Sequence, residues 1–285
     1  MENVIPGIKL NLPLSKICFS IIAVAYKDFK LYLKINSSSV GSNTMGDTYF
    51  ISDVHLGTLS EEQEKERVDR FMEFLRELET RAERIFFVGD LFDFWFEYKY
   101  TIPKKYFPVL YQLARFREKN IEMHYLPGNH DFWLGNFFRK QFGMNIYDQD
   151  WKGEIAGKKF YLYHGDGIAK KDVGYRILKK ILRNKLSLKL FRLLHPDLGI
   201  PLARFISGSS RQYTHQIKLD SEQDYIEFAR RMFQRGHDYV IMGHQHTPKV
   251  YKENGKKYIN LGDWLSHYSY ACFNGNELEL KYYNI

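Results

Sequence analysis

The chain has 285 residues, 44% hydrophobic and 27% charged, with a formal net charge of +8. That length and apolar fraction suit one domain or two modest ones with a large core, and exclude intrinsic disorder and collagen-like or low-complexity classes. No apolar run reaches the ~18 residues of a membrane-spanning helix. The two cysteines, Cys18 and Cys272, form no Cys-x-x-Cys or Cys/His cluster, against a disulfide scaffold or zinc finger.

Residues 1–46 differ in pattern from the rest of the chain. Lys9 and Lys16 precede the apolar stretch Ile17–Ala25, and the polar run Asn36–Asn43 leads to Met45. Three readings stay open: a secretory signal, an extra strand and helix, or an upstream start with the native chain beginning at Met45. From Thr48 the pattern is regular. A buried strand at 48–53 precedes a helix whose face is Val68, Phe71, Leu75, Leu78 and Ala82, with Ser60 and Gln63 able to form a capping box. A strand at 84–88, a helix over roughly 104–119 and a strand at 121–126 come next. Further strands are expected at 159–163 and 239–242, with a helix at 222–235 before the second of them. The tail is β-rich, with turns at Asn254-Gly255 and 274–276. Strands alternating with helices imply an α/β layered fold, and apolar strands without clean alternation imply a sheet covered on each face. Residues 167–216 read as two or three helices, broken near His195-Pro196 and Gly199–Pro201, inserted like a cap.

The acids and histidines accumulate where strands end: Asp53-Val-His55, Gly89-Asp90, Gly128-Asn-His-Asp131, His164-Gly-Asp166 and Gly243-His-Gln-His246. Ligands of α/β sheets bind beyond the carboxyl ends of strands, so these five loops should converge. In an extended segment residues i and i+2 point the same way, which would aim Asp53 with His55, and His244 with His246, at a common point. Carboxylates, an amide oxygen and imidazoles without a thiolate suit Mn2+, Fe2+, Zn2+ or Mg2+. Seven such ligands are too many for one ion and about right for two sharing a carboxylate, a pair able to clamp a phosphoryl group for in-line attack.

This ordered set resembles the calcineurin-like metallophosphoesterases, over about 200 residues. The segments Ser52–Gly57, Gly89–Asp93, Gly128–Phe132 and His164–Gly167, with Asp172, Tyr175 and the serine-rich stretch Ser207–Arg211, are similar to bacterial UDP-2,3-diacylglucosamine hydrolases of lipid A synthesis. The resemblance implies a four-layered αββα sandwich over 47–285 with a helical cap at about 167–216. It implies two divalent ions, Mn2+ foremost, one held by Asp53, His55, Asp90 and His246 and the other by Asp90, Asn129, His164 and His244. His130 takes the position that stabilises the phosphoryl oxygens or leaving group, where some lipid A hydrolases carry an arginine. The catalytic pair is then Asn129 and His130, and Asp172, Ser210 and Arg211 contact the substrate headgroup. Asp131 is expected to orient a metal-bound histidine. The reaction implied is hydrolysis of UDP-2,3-diacylglucosamine to UMP and 2,3-diacylglucosamine 1-phosphate. Its rivals are a nuclease or cyclic-nucleotide phosphodiesterase with the same site, and a non-catalytic scaffold.

The charge is local. Nine basic residues between Lys170 and Arg192 face one acid, Asp172, which accounts for the whole +8 excess. The same segment holds Leu178, Leu182, Leu186, Leu188, Leu190, Phe191, Leu193 and Leu194, more than one buried stripe needs. A helix rich in both kinds of residue suits a membrane interface, and an acyl-chain pocket between such helices would use the leucines too, whereas nucleic acid would leave them unexplained. The expected partners are therefore a nucleotide-sugar lipid and a membrane surface, at the cytoplasmic face of the inner membrane, with no oligomeric state specified. Neutralising Lys179, Lys180 and Arg183 is expected to weaken lipid engagement and spare a small soluble diester. Aromatic crowding at Phe92–Tyr100 reads as core or cap-facing surface.

Overall fold

Each strand of the central part has apolar residues on both faces because both faces are buried. The computed structural model describes residues 46–59, 61–170, 173–203 and 222–283, and places these strands in two sheets. The first sheet comprises β1 (Asp47–Ile51), β2 (Ala82–Val88), β3 (Glu122–Leu126), β4 (Asn145–Ile146), β10 (Ser269–Phe273) and β11 (Leu278–Tyr282), in the order β11-β10-β1-β2-β3-β4. The second comprises β5 (Asp150–Ile155), β6 (Lys158–Tyr163), β7 (Tyr239–Met242), β8 (Lys249–Glu253) and β9 (Lys256–Asn260), in the order β5-β6-β7-β9-β8. Within them β1-β2-β3-β4 and β6-β7-β9 run parallel.

Alternate residues of one strand serve different layers. Phe50, Phe86, Val88 and Leu126 meet Phe160, Leu162, Ile241 and Ile259 between the sheets. Tyr49, Ile51, Ile85, Phe87, Met123 and Tyr125 face outward onto helices α1 (Glu61–Arg81) and α2 (Phe107–Glu118). Tyr161, Val240, Met242 and Tyr258 face α6 (Glu222–Gln234) on the other side. The result is the four-layered αββα sandwich, and burial of bulky side chains in three apolar layers supplies its main driving force.

Local signals account for most boundaries. Pro108 sits in the first turn of α2, preceded by a 3-10 turn at Lys104–Tyr106, so the single helix expected there starts later. Helix α3 (Phe137–Phe142) ends on Gly143 at φ 66°, a left-handed cap that glycine takes without strain. Strand β5 was not expected, since its sequence DWKGEI lacks an apolar run; pairing along the whole of β6 creates it. In the cap, α4 (Val173–Leu182) and α5 (Lys185–Arg192) are separated at Asn184, whose side chain accepts from the Leu186 N–H at 2.8 Å. The helix over 196–203 runs through Gly199 and Pro201 without the expected break there. Residues 1–45, Ser60 with its capping box, Asp172 and 204–221 with Ser210 and Arg211 lie outside the described residues. No described helix is long and apolar enough to cross a membrane.

Candidate metal centre

All five motif loops leave the carboxyl ends of parallel strands: β1, β2 and β3 of the first sheet, β6 and β7 of the second. The two sheets therefore present their loops at one end of the sandwich. The side chains then converge by an unexpected route. Asp53, His55, Asp90, His244 and His246 have φ of 53°, 48°, 55°, 69° and 58°, all left-handed, so extended i/i+2 alternation is not what pairs them. Left-handed backbone at a non-glycine residue costs energy and persists only where surroundings impose it. Here the Arg67 guanidinium is buried against the carbonyls of Val54 and His55, and the Leu56 backbone bonds to Leu91 and Asp93 of the neighbouring loop. Gly128 and Gly243 are needed for close approach, because a Cβ at either would collide with the carboxylates of Asp90 and Asp53 respectively.

Two groups of donors result. In one, His246 Nε2 lies 3.2 Å from Asp53 Oδ1 and 3.2 Å from His55 Nε2. In the other, Asn129 Oδ1 lies 3.1 Å from His164 Nε2 and 2.9 Å from His244 Nδ1. Asp90 joins them: its Oδ2 is 3.6 Å from His55 Nε2 and 3.3 Å from His164 Nε2. Its Oδ1 accepts from the His130 backbone N–H at 2.8 Å. Asp53 is oriented likewise, with Oδ2 accepting from Ser52 Oγ at 2.5 Å and the His244 N–H at 2.8 Å. Its Oδ1 is fully buried, aimed into the centre, and accepts no hydrogen bond among the described residues.

The electrostatics ask for positive charge. Burial raises the pKa of Asp53 and Asp90, but the neighbouring imidazoles (His246 for Asp53, His164 and His130 for Asp90) outweigh it and hold both carboxyls well below the usual range. Burial likewise opposes charge on His55, yet contacts with Asp53 and Asp93 lift it to about 9. His164 rises to about 10 against its own burial, chiefly through the Asp90 charge. Divalent cations would meet the same demand while leaving the imidazoles neutral, as ligation requires. Asp53, His55 and His246 can close on one ion, and Asp90, His164 and His244 on another. Oxygen and nitrogen donors with an orphaned buried carboxylate oxygen fit such a pair.

The ring orientations come partly from residues the sequence did not single out. His164 donates from Nδ1 to the Val88 carbonyl at 2.9 Å. Asp93 sits 3.7 Å from His55 Nδ1 and 3.6 Å from His130 Nδ1. Asp263, just past β9, sits 3.5 Å from His246 Nδ1. The Gly262-Asp263 pair after an apolar strand repeats the Gly89-Asp90 signal and could have been found by it. Asp131 does not orient a histidine, contrary to expectation. Its carboxylate instead accepts from the Gly128 and Leu91 N–H groups, each at 2.8 Å, and from the Tyr125 hydroxyl at 2.5 Å. Those loop donors surround it because the chain turns at Gly128, and they tie the β2 and β3 loops together.

A family model described as calcineurin-like phosphoesterase matches residues 47–248. The chain belongs to this phosphoesterase family. It is similar to the UDP-2,3-diacylglucosamine hydrolase of Porphyromonas gingivalis, with 31% identity over 82% of this chain and 96% of the relative. Proteins of the same name from Haemophilus influenzae and Neisseria meningitidis show 28% and 30% identity, over 79% of this chain and 93% and 92% of their own length.

The chain just after α4, and α5, pack on the loops that follow β2 and β3. Phe191 of α5 packs on Phe94, Phe96 and Trp133, with ring centroids 5.8, 4.8 and 4.9 Å away, so the aromatic segment is both core and cap-facing surface. The basic cap residues sort into two sets. Lys179 and Arg183 turn inward, their side chains only 18% and 23% exposed, so of the three cations expected to engage lipid only Lys180 is exposed. Lys180, Lys189 and Arg192 are exposed, beside the exposed apolar residues Ile181, Leu186, Leu190 and Leu193. Cys272 is buried in β10, where burial pushes its thiol up to about 11, so it is no nucleophile.

Proposed function

We propose that this phosphoesterase hydrolyses the pyrophosphate bond of UDP-2,3-diacylglucosamine, releasing UMP and 2,3-diacylglucosamine 1-phosphate for lipid A synthesis. The observation that carries the substrate is the similarity to relatives of that name over more than nine-tenths of their length. The cofactors proposed are two Mn2+ ions, one on Asp53, His55, Asp90 and His246, the other on Asp90, Asn129, His164 and His244. When bound, such a pair supplies Lewis-acid polarisation of phosphoryl oxygens and lowers the pKa of a water.

The chain's own residues do the rest. Asp90 holds the two ligand groups in register, with its Oδ1 fixed by the His130 N–H. His130 is set by its Nδ1 contact with the Asp93 carbonyl at 3.1 Å, which leaves Nε2 on the Asp90 side, 4.0 Å from Oδ2. From there an imidazolium donates to a phosphoryl oxygen or to the departing group, an interaction that strengthens as charge builds. Asn129 Oδ1, between His164 and His244, keeps the β3 loop at the centre. Asp172, Ser210 and Arg211 are proposed headgroup contacts, 47–285 the catalytic domain, and 167–216 its cap. The exposed cations and leucines of that cap support peripheral binding at the cytoplasmic face of the inner membrane.

The test presents UDP-2,3-diacylglucosamine, DNA and a cyclic nucleotide side by side with Mn2+ and identifies products by mass. UMP and the lipid phosphate are expected from the first alone; turnover of DNA without the nucleotide lipid overturns the substrate. Asp90→Ala and His244→Ala are expected to lose at least about a thousandfold in kcat. Full activity in either would sink the ligand assignment.

A further inference from the structure

Arg176, Lys179 and Arg183 follow one another at helical spacing along α4 and just past it, and all three point at the body. Two of these cations are committed. Arg176 donates to the carbonyls of Gly167, Ala169 and Lys170 at 3.4, 2.9 and 3.3 Å. Lys179 pairs with the buried Asp166 carboxylate at 2.6 Å. The third is committed only in part: Arg183 Nη2 donates to the Gly128 carbonyl at 3.1 Å and forms a long ion pair, 3.9 Å, with Asp166, which Lys179 holds at 2.6 Å. Its Nε is buried and without a hydrogen-bond partner among the described residues. The guanidinium lies 5.1 Å from the Phe132 ring, so one face is covered.

A half-buried guanidinium with only a long, shared ion pair and a buried Nε unpaired among the described residues gains from a further anion that completes it. The position says which anion. Gly128 immediately precedes Asn129 and His130, and its Cα packs so closely on Asp90 that a Cβ would strike that carboxylate. Arg183 is thus bonded to the loop that carries the centre, on the cap side of it. A planar fork there matches a phosphoryl group better than a lysine would.

We infer that Arg183 takes an oxygen of the phosphoryl group adjacent to the one attacked, which makes it a specificity-determining residue for substrates with two linked phosphates. The inference rests on the proposed function in so far as that substrate is a pyrophosphate. Lys179 acts as a positioning residue, holding Asp166 at 2.6 Å and leaving Arg183 only the longer contact with it.

The test titrates inorganic pyrophosphate and inorganic phosphate calorimetrically into the full-length protein and its Arg183→Gln and Arg183→Lys variants. Loss of one charge-assisted contact should weaken pyrophosphate binding in Arg183→Gln by about ten- to a hundredfold, with phosphate affected less and Arg183→Lys intermediate. The KM for UDP-2,3-diacylglucosamine should rise by a comparable factor, and that for bis(p-nitrophenyl) phosphate by much less. Equal pyrophosphate affinity in wild type and Arg183→Gln overturns the inference. So does an equal rise in KM for both substrates, which would make Arg183 a latch for the cap. Should Arg183→Gln unfold at a lower temperature, the comparison passes to Arg183→Lys, which keeps the charge and loses the fork. If the wild-type protein turns over no nucleotide lipid, the proposed function fails while the pyrophosphate titration still decides Arg183.

Discussion

His246 shows what a single side chain needs in order to act as a ligand. It has an unfavourable left-handed backbone, a carboxylate facing its Nε2 and another carboxylate facing its Nδ1. The second, Asp263, is raised by burial, but the hydrogen bond with His246 and the backbone N–H groups of Ser266 and His267 outweigh this and hold it well below the usual carboxylate range. It therefore stays ionised and keeps the imidazole turned toward Asp53. Asp263→Asn keeps the shape and removes the charge, so metal affinity should fall about ten- to a hundredfold, as measured by competition with a chelator. Activity should recover with excess Mn2+; unchanged affinity would refute the orienting role. Spacing marked His246 as a candidate because a ligand must itself carry a donor side chain. Asp263 and Arg67 escaped because a supporting residue need only arrive from elsewhere in the fold with the right charge.

Between elements, the clearest polar link joins α1 to α2. Glu79 accepts from Arg115 Nε at 2.6 Å and Gln112 Nε2 at 2.7 Å, with Lys119 Nζ at 3.1 Å. The Arg115 contact, opposed by partial burial, lowers the Glu79 carboxyl to about 2. A carboxyl depressed on folding stabilises above its unfolded pKa, ~4.5, and this contribution disappears as pH falls from there through about 2. Solvent screens the pair, since Arg115 is 39% exposed, so Glu79→Gln should cost only about 1 kcal/mol at neutral pH. The wild-type and variant unfolding midpoints should differ at pH 7 and converge near pH 2; a constant gap would exclude the linkage. Element positions were legible where one face is apolar, as in α1, or where a strand is buried on both sides, as in β1 and β2. Strand β5 was not, because its partner β6 rather than its own composition makes it a strand.

At the scale of the molecule, described cations of the segment that carries the +8 excess fall into an inward and an outward set. The inward set meets Asp166 and Gly128 beside the centre, and the outward set shares an exposed surface with Leu186, Leu190 and Leu193. Replacing Lys180, Lys189 and Arg192 together by Gln should weaken binding to vesicles containing anionic lipid by about a hundredfold, at about 1 kcal/mol per cation near the surface. Sedimentation with vesicles measures this, with turnover of bis(p-nitrophenyl) phosphate as reference. Equal losses in both assays would return these cations to a structural role.

The metal-ligand candidates and their place at strand ends were readable from residue order alone. That is because a ligand is defined by its own side chain and each loop directly follows an apolar strand. Only the tertiary structure decided that the ligand candidates sit on left-handed backbone, that Asp131 ties loops rather than a histidine, and that Lys179 and Arg183 face inward. Those outcomes depend on which distant groups come within hydrogen-bonding reach: Tyr125, Leu91 and Gly128 around Asp131, and Asp166 under the cap. A linear pattern sets what a residue can do; its partners, gathered by the packing of the four layers, set what it does.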